Sequence, residues 1–133
     1  MATQSAPLKL LIVEPEAAFR RNLFHRLRLE QWLVFEAAEE EQVKRLLKRH
    51  DMDVVVLGLN SLQQRGLAIL RSIKSVRPAT EVILLTGAEH LSLAIAGMQL
   101  GAFDDLLVPF DMKTLLLRIR EACTRRRAGG SSG

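Results

Sequence analysis

The stretch 53–60, DVVVLGLN, contains an uninterrupted apolar run from Val54 to Leu57. Two runs of the same kind, almost continuously apolar, occur at Leu8 to Val13 and at Val82 to Leu85. Strands of parallel sheets have this composition because helices cover both of their faces. The three runs therefore predict the buried strands of a central parallel sheet.

Shorter apolar runs at Leu33 to Phe35 and at Phe103 to Val108 raise the number of predicted strands to five. Each strand is followed by a segment with the spacing of an amphipathic helix, such as the one in which Phe19, Leu23 and Leu27 recur every fourth residue. Further helices are predicted around Val43 to Leu47, from about Gly66 to Val76, from about Glu89 to Leu100, and after Asp111.

Five repeats of strand and helix predict an α/β fold, a flavodoxin-like (βα)5 doubly wound parallel sheet in three layers with strand order 2-1-3-4-5. The chain has 133 residues, of which 48% are hydrophobic and 26% charged, so it is suited to one soluble domain. We expect that domain to span residues 8–127, between a disordered N-terminus of residues 1–7 and a flexible tail of residues 128–133.

The composition also excludes several classes of protein. No apolar run approaches the roughly 18 residues of a membrane span, and the N-terminus lacks the pattern of a secretion signal. The single cysteine, Cys123, excludes an internal disulfide and a cysteine-based metal site. The three histidines fall on different predicted elements, so no catalytic triad or zinc site is indicated. We therefore expect a cytoplasmic protein that does not contact a membrane.

Ligands of doubly wound sheets bind at the carboxyl ends of the strands, close to the switch between strands 1 and 3. The residues at these ends are Glu14 to Glu16, Gly58 to Asn60, Thr86 to Gly87, and Val108 to Pro109. Asn60 is predicted to be only a turn residue. Glu14 and Thr86 supply side-chain oxygen atoms at this edge.

Over residues 8 to about 125, the chain resembles the receiver domain of two-component response regulators. The similar stretches are KLLIVEPEAAFRRNL (9–23), DVVVLGLN (53–60), EVILLTGA (81–88) and GMQLGAFDDLLVPFDMKTLLLRIR (97–120). In the last stretch, the residues that match the family pattern in register are Gly101, Ala102, Asp104, Pro109 and Phe110. The resemblance implies a domain that accepts a phosphoryl group from histidine onto an aspartate, assisted by Mg²⁺, and then changes the face that binds partners. It also implies a cis bond before Pro109.

Most of the residues that perform this chemistry in the family are absent. The position of the phosphoacceptor aspartate is Gly58, which has no nucleophile. The acidic pair that holds Mg²⁺ is replaced by Glu14 and Pro15, and proline supplies no side-chain oxygen. Val108 stands in place of the lysine that contacts the phosphoryl oxygens.

Asp105 replaces the aromatic residue that changes orientation on activation in the family, whereas Thr86 keeps the family's hydroxyl group. The resemblance therefore implies a pseudo-receiver in which the pocket is degenerate. We expect no enzymatic activity, no catalytic residue, no metal site, and no Mg²⁺ or other cofactor.

The fourth predicted helix, in the stretch HLSLAIAGMQL (90–100), is too apolar for a single buried stripe. Its large apolar residues are Leu91, Leu93, Ile95 and Met98. They point in different directions around a helix, so some of them are expected to face solvent and to contact a partner. In the family, helix 4, strand 5 and helix 5 form the usual dimer and output surface. The resemblance adds Asp105 and Arg118 to this surface and implies a protein partner or a homodimer.

Three functions are compatible with these residues. The favoured one is phosphorylation-independent signalling through protein interaction, with a linked output domain conceivable beyond residue 127. The second is a phosphorelay receiver that still responds to a phosphodonor or small ligand through Glu14 and Thr86. The third is nucleic-acid binding by the arginine-rich stretch RIREACTRRR (118–127). It is disfavoured because aromatic stacking residues are absent there and cations are favoured by the dipole at a helix end.

Overall fold

A computed structural model describes residues 6–131 of the protein, which form five strands, six α-helices and one short 3-10 helix. In chain order the elements are β1 (Lys9–Val13), α1 (Ala17–Arg28), β2 (Leu33–Ala37), α2 (Glu40–Arg49), β3 (Val54–Leu57), α3 (Leu59–Leu62), α4 (Gln64–Val76), β4 (Glu81–Gly87), the 3-10 helix (Ala88–His90), α5 (Leu91–Gln99), β5 (Asp104–Val108) and α6 (Met112–Ser131).

The strands form one parallel sheet in the order β2-β1-β3-β4-β5, which confirms the predicted topology. Strand β1 pairs with both β2 and β3, so the strand order changes direction at β1. In its register, Val13 lies opposite both Ala37 and Leu57. The carboxyl ends of β1 and β3 therefore meet at one edge of the sheet.

The apolar residues of the sheet are buried in two layers, one on each face. Helices α1 and α6 cover one face, where Leu10 and Val56 are packed. Helices α2, α3, α4 and α5 cover the other face, where Leu11 and Val55 are packed. Burial on both faces is the reason why the three central strands contain almost no polar residue.

The third predicted helix differs from the observed structure. It was expected from about Gly66, but the chain turns into the short helix α3 directly after β3 and then continues as α4 from Gln64. The carbonyl of Gly58 accepts hydrogen bonds from the amides of Ser61 and Leu62, which starts this helical turn. Asn60, predicted as a turn residue, therefore lies within a helix. The fourth and fifth predicted helices correspond to α5 and α6.

At both ends, the described structure continues past the domain boundaries predicted from the sequence. Helix α6 runs to Ser131, so the predicted boundary at residue 127 falls within a helix, and residues 132–133 of the expected tail lie outside the described residues. At the other end, residues 1–5 of the expected disordered segment also lie outside them. The Pro7 carbonyl accepts a hydrogen bond from Arg127 at 3.3 Å. Within residues 6–131, no helix is long and apolar enough to cross a membrane.

Candidate functional site

A cavity of about 220 Å³ lies at the carboxyl edge of the sheet, where the sequence predicts the site. It is lined by Glu14, Glu16, Phe19, Gly58, Asn60, Ser61, Leu85 and Val108. The loops and first helical turns that follow β1 and β3 supply most of these residues, because the two strands are neighbours in parallel register. The structure thus brings four of the predicted pocket positions, Glu14, Gly58, Asn60 and Val108, to one cavity.

The side chain of Glu14 lies inside this edge and is only 2% exposed. Its Oε2 atom accepts a hydrogen bond of 2.8 Å from the amide of Glu16. Its Oε1 atom lies next to Gly58, so close that a Cβ atom built on this glycine would be 2.1 Å from it. The Glu14 carboxylate therefore occupies the space that a side chain at position 58 would need.

The buried location of Glu14 changes the pKa of its carboxyl group. Burial raises the pKa of Glu14 above its usual value, while hydrogen bonds from the Glu16 amide and the Ser61 side chain partly oppose the shift. The negative charge of Glu16 acts in the same direction as burial, and Arg20 acts against it. The net effect is that the charged form of Glu14 is disfavoured.

The residues that line this cavity offer two carboxylates to a cation such as Mg²⁺, those of Glu14 and Glu16. This cation requires several oxygen ligands in near-octahedral geometry. The carboxylate of Glu14 is held by a backbone amide, and that of Glu16 accepts the Phe19 amide at 2.7 Å as the N-cap of α1. Pro15 and Gly58 have no side-chain oxygen. Nowhere in residues 6–131 do three or more His, Cys, Asp or Glu side chains form a group that could hold a metal ion.

Thr86 lies inside β4 rather than after it, and it is not one of the residues that line the cavity. Its hydroxyl donates a hydrogen bond of 2.5 Å to the carboxylate of Asp105 on the neighbouring strand β5. Thr86, predicted in the pocket, and Asp105, predicted on the contact surface, are thus joined by a hydrogen bond. Val108 lines the cavity, and its bond to Pro109 is cis.

The exposed apolar residues of α5 form a second feature. Leu91 is 65% exposed, Ile95 52% and Met98 40%, and together with Asp105 they line a groove of about 390 Å³. The prediction of Leu93 as a contact residue was wrong, because Leu93 is 7% exposed and packs in the core. A residue two positions from Leu91 and Ile95 points to the opposite side of the helix, which here is the sheet side.

The strand and helix next to this groove add residues that the sequence analysis did not single out. Leu107 on β5 and Leu117 on α6 are large, apolar and more than half exposed. The predicted residue Arg118 lies on α6, where its guanidinium contacts Asp104 and Glu121, each at 2.9 Å. Alternation along β5 could have indicated Leu107, since it follows the buried Leu106.

The arginine-rich end of α6 lies at the opposite, amino edge of the sheet. Arg125 contacts Glu81 at 3.3 Å, Arg126 contacts Asp51 at 2.5 Å, and Arg127 contacts Asp53 at 3.0 Å. Asp53 is 3% exposed and also accepts the amide of Lys9. The sequence analysis explained this cluster of arginines by the helix dipole. In the structure, Arg125, Arg126 and Arg127 instead form ion pairs with acidic residues at the amino edge of the sheet.

Comparisons with known proteins agree with this architecture. The family model of the response regulator receiver domain matches residues 10–120. The aerobic respiration control protein ArcA of Escherichia coli is 28% identical over 116 residues, which cover 87% of this chain and 48% of that protein. The chain spans about half the length of the curated relatives it matches.

Two solved structures have the same fold. A response regulator receiver domain protein from Clostridium thermocellum is 29% identical with a TM-score of 0.83, and the match covers 91% of this chain and 98% of that one. The signal receiver domain of an HD domain-containing protein from Pseudomonas fluorescens is 26% identical with a TM-score of 0.89, and the match covers 98% and 97%.

Proposed function

The chain belongs to the response regulator receiver domain family, and we propose that it is a phosphorylation-independent member of that family. In this proposal it takes part in signalling by binding a protein partner or a second copy of itself. The contact surface consists of exposed and half-buried residues of α5, β5 and α6, namely Leu91, Ile95, Met98, Asp105, Leu107, Leu117 and Arg118. We call it the α5–β5–α6 face.

The observation that carries the proposal is the position of the Glu14 carboxylate against Gly58. Aspartyl phosphorylation needs a carboxylate nucleophile at the end of β3 and space around it for the phosphoryl group. Position 58 has no side chain, and the Oε1 atom of Glu14 lies where that side chain would begin. The site is therefore both without its nucleophile and occupied.

The charges around the cavity support the same conclusion. A transferring phosphoryl group is stabilised by cations aimed at its oxygen atoms. Val108 stands where the family has a lysine, and the ionisable residues that line the cavity, Glu14 and Glu16, are carboxylates. An incoming phosphoryl group would meet negative charge without a cation in the lining to balance it.

The second part of the proposal, the protein contact, is supported by the α5–β5–α6 face. Large apolar side chains are exposed on all three of its elements, and contiguous exposed apolar surface on a soluble domain is typical of a contact site. The Thr86 hydroxyl donates a hydrogen bond to Asp105 at the edge of this face.

The loss of phosphorylation is tested by following backbone amide signals during titration with Mg²⁺ and then with beryllofluoride, a stable mimic of an acyl phosphate. We expect no saturable shifts at Gly58, Thr86 or Val108. Saturable shifts at these three residues would overturn the proposal and identify the domain as a live phosphoacceptor.

The contact surface is tested by sedimentation velocity over a range of concentrations and by pull-down from a lysate. We expect Ile95→Asp to abolish self-association or the capture of a specific partner. Leu29→Asp is the matched control, because Leu29 is also a large apolar residue, is even more exposed than Ile95, and follows α1 on another part of the molecule. A monomer at high concentration whose captured partners are unaffected by Ile95→Asp would refute the role of the face.

A further inference from the structure

A second cavity lies beside the Glu14 cavity, between α1 and the connection from β5 to α6. Its volume is about 400 Å³, and its apolar lining residues are Phe19, Leu23, Val108, Pro109, Phe110 and Met112. The rings of Phe19 and Phe110 are 6.3 Å apart between centroids, which forms an aromatic wall. Volumes of this order, with apolar walls and few polar groups, are typical of small-molecule sites.

The two cavities are adjacent because they share Phe19 and Val108. The receiver family has a lysine at position 108. Valine leaves an apolar wall without charge at this junction. A molecule lying across the junction would place an apolar part in the larger cavity and a polar end in the smaller one.

The charge of the smaller cavity determines which polar end fits. Its ionisable lining residues are Glu14 and Glu16, and both are acidic. The nearby Arg20 is engaged elsewhere, since it donates to the Glu14 carbonyl at 3.0 Å and to the Glu36 carboxylate at 2.9 Å. A buried carboxylate without a cation in its cavity is costly, and a ligand that brings a cation removes that cost.

We propose that the two cavities together form a binding site for a small organic ammonium compound with an apolar body. The ammonium group donates to the carboxylates of Glu14 and Glu16, and the apolar body packs against the wall that Phe19 and Phe110 form. Arg26, at the edge of the larger cavity, is paired with Glu30 at 3.1 Å, so its positive charge is balanced. The proposed site binds a cation, whereas the phosphorylation site of the family binds an anionic phosphoryl group. This binding activity is separate from the proposed signalling role.

The test uses 2-phenylethylammonium as the probe and backbone amide shifts of the whole chain as the readout. The neutral comparator is 2-phenylethanol and the anionic comparator is 3-phenylpropanoate, which have similar apolar bodies. We expect saturable shifts at Phe19, Gly58 and Val108 with the ammonium compound only. Absence of such shifts, or equal binding of either comparator, would overturn the proposal.

Two variants and one control locate the site. Glu14→Gln removes the buried charge, and we expect it to weaken binding by about tenfold or more. Val108→Lys introduces a competing ammonium group at the junction and should weaken binding by a similar factor. Glu41→Gln removes a carboxylate from the exposed surface of α2 and should leave the affinity unchanged. If Glu14→Gln and Val108→Lys both fold and bind as the native chain does, the site is refuted.

Discussion

At the end of β3, the residue type at position 58 and the side chain at position 14 depend on each other. Glutamate is one methylene longer than the aspartate typical of the family, and its carboxylate reaches the space beside Gly58. Glycine at position 58 leaves that space open. The two departures from the family pattern are therefore parts of one packing arrangement.

This dependence predicts the outcome of a double-mutant cycle. Gly58→Ala places a Cβ atom against Glu14 and also 3.3 Å from the Val13 carbonyl, and we expect it to cost about 1–3 kcal/mol of stability. In the Glu14→Ala background the same change should cost less, with a coupling of about 0.5–3 kcal/mol. Urea unfolding of the four proteins measures both values. Strict additivity would show that the two residues do not compete for space.

The raised pKa of Glu14 predicts a pH dependence of stability. Because burial raises this pKa, the folded state binds the proton more tightly than the unfolded state. The contribution of Glu14 to stability is therefore fully present below its unfolded pKa and is lost as the pH rises through its folded pKa. We expect the stability of Glu14→Gln relative to the native chain to increase from about pH 4 to about pH 7. Urea unfolding at both pH values measures it, and a difference that stays constant or decreases would contradict the assignment.

At the scale of elements, helix α5 has an apolar residue on both its buried and its exposed side. Leu93 packs against the sheet, whereas Leu91 faces solvent. A helix that needed only to cover the sheet would have no reason for the second of these residues. The apolar exposed side is therefore a candidate for a contact in the assembled protein.

Alanine substitutions separate the two sides of α5. We expect Leu93→Ala to cost about 2–5 kcal/mol, because it leaves a cavity in the core. Leu91→Ala should change stability by no more than about 0.5 kcal/mol, because its side chain is mostly exposed. Thermal and urea unfolding measure both. Equal effects of the two changes would mean that α5 packs differently in solution.

At the scale of the whole molecule, the two edges of the sheet have different roles. The carboxyl edge holds the cavity around Glu14, and the amino edge holds the ion pairs of Arg125, Arg126 and Arg127. These pairs attach the last turns of α6 to Asp53 and to the start of β4. The arginine-rich end of α6 therefore lies at the edge opposite the cavity around Glu14.

Asp53→Asn tests this attachment. The change keeps the shape of the side chain but leaves the guanidinium groups of Arg126 and Arg127 without their buried partner, and we expect it to cost about 3 kcal/mol. Hydrogen exchange should increase in the last turns of α6. Arg125→Ala, at an exposed pair, should cost at most about 1 kcal/mol. Unchanged protection of α6 in the Asp53→Asn protein would show that packing alone holds the helix.

The fold was largely predictable because it depends on patterns along the chain. Apolar runs such as Val54 to Leu57 indicate strands buried on both faces, and the alternation with helices leaves few topologies. The sequence also states directly that position 58 is a glycine and position 108 a valine, whereas the assignment of these two positions to the phosphoacceptor and the lysine of the family stays a prediction. The short helix after Gly58 was not predictable, because the hydrogen bonds of its carbonyl leave no pattern in residue type.

Residue identities and strand order were thus determined by the sequence alone. Only the tertiary structure decided which atoms share a volume. Glu14 and Gly58 are distant along the chain, and they meet because β1 and β3 are parallel neighbours with Val13 opposite Leu57. The same reason applies to Leu93 in the core and to Arg127 at Asp53. Distances between side chains on different elements follow from register and packing, which neither spacing nor composition encodes locally.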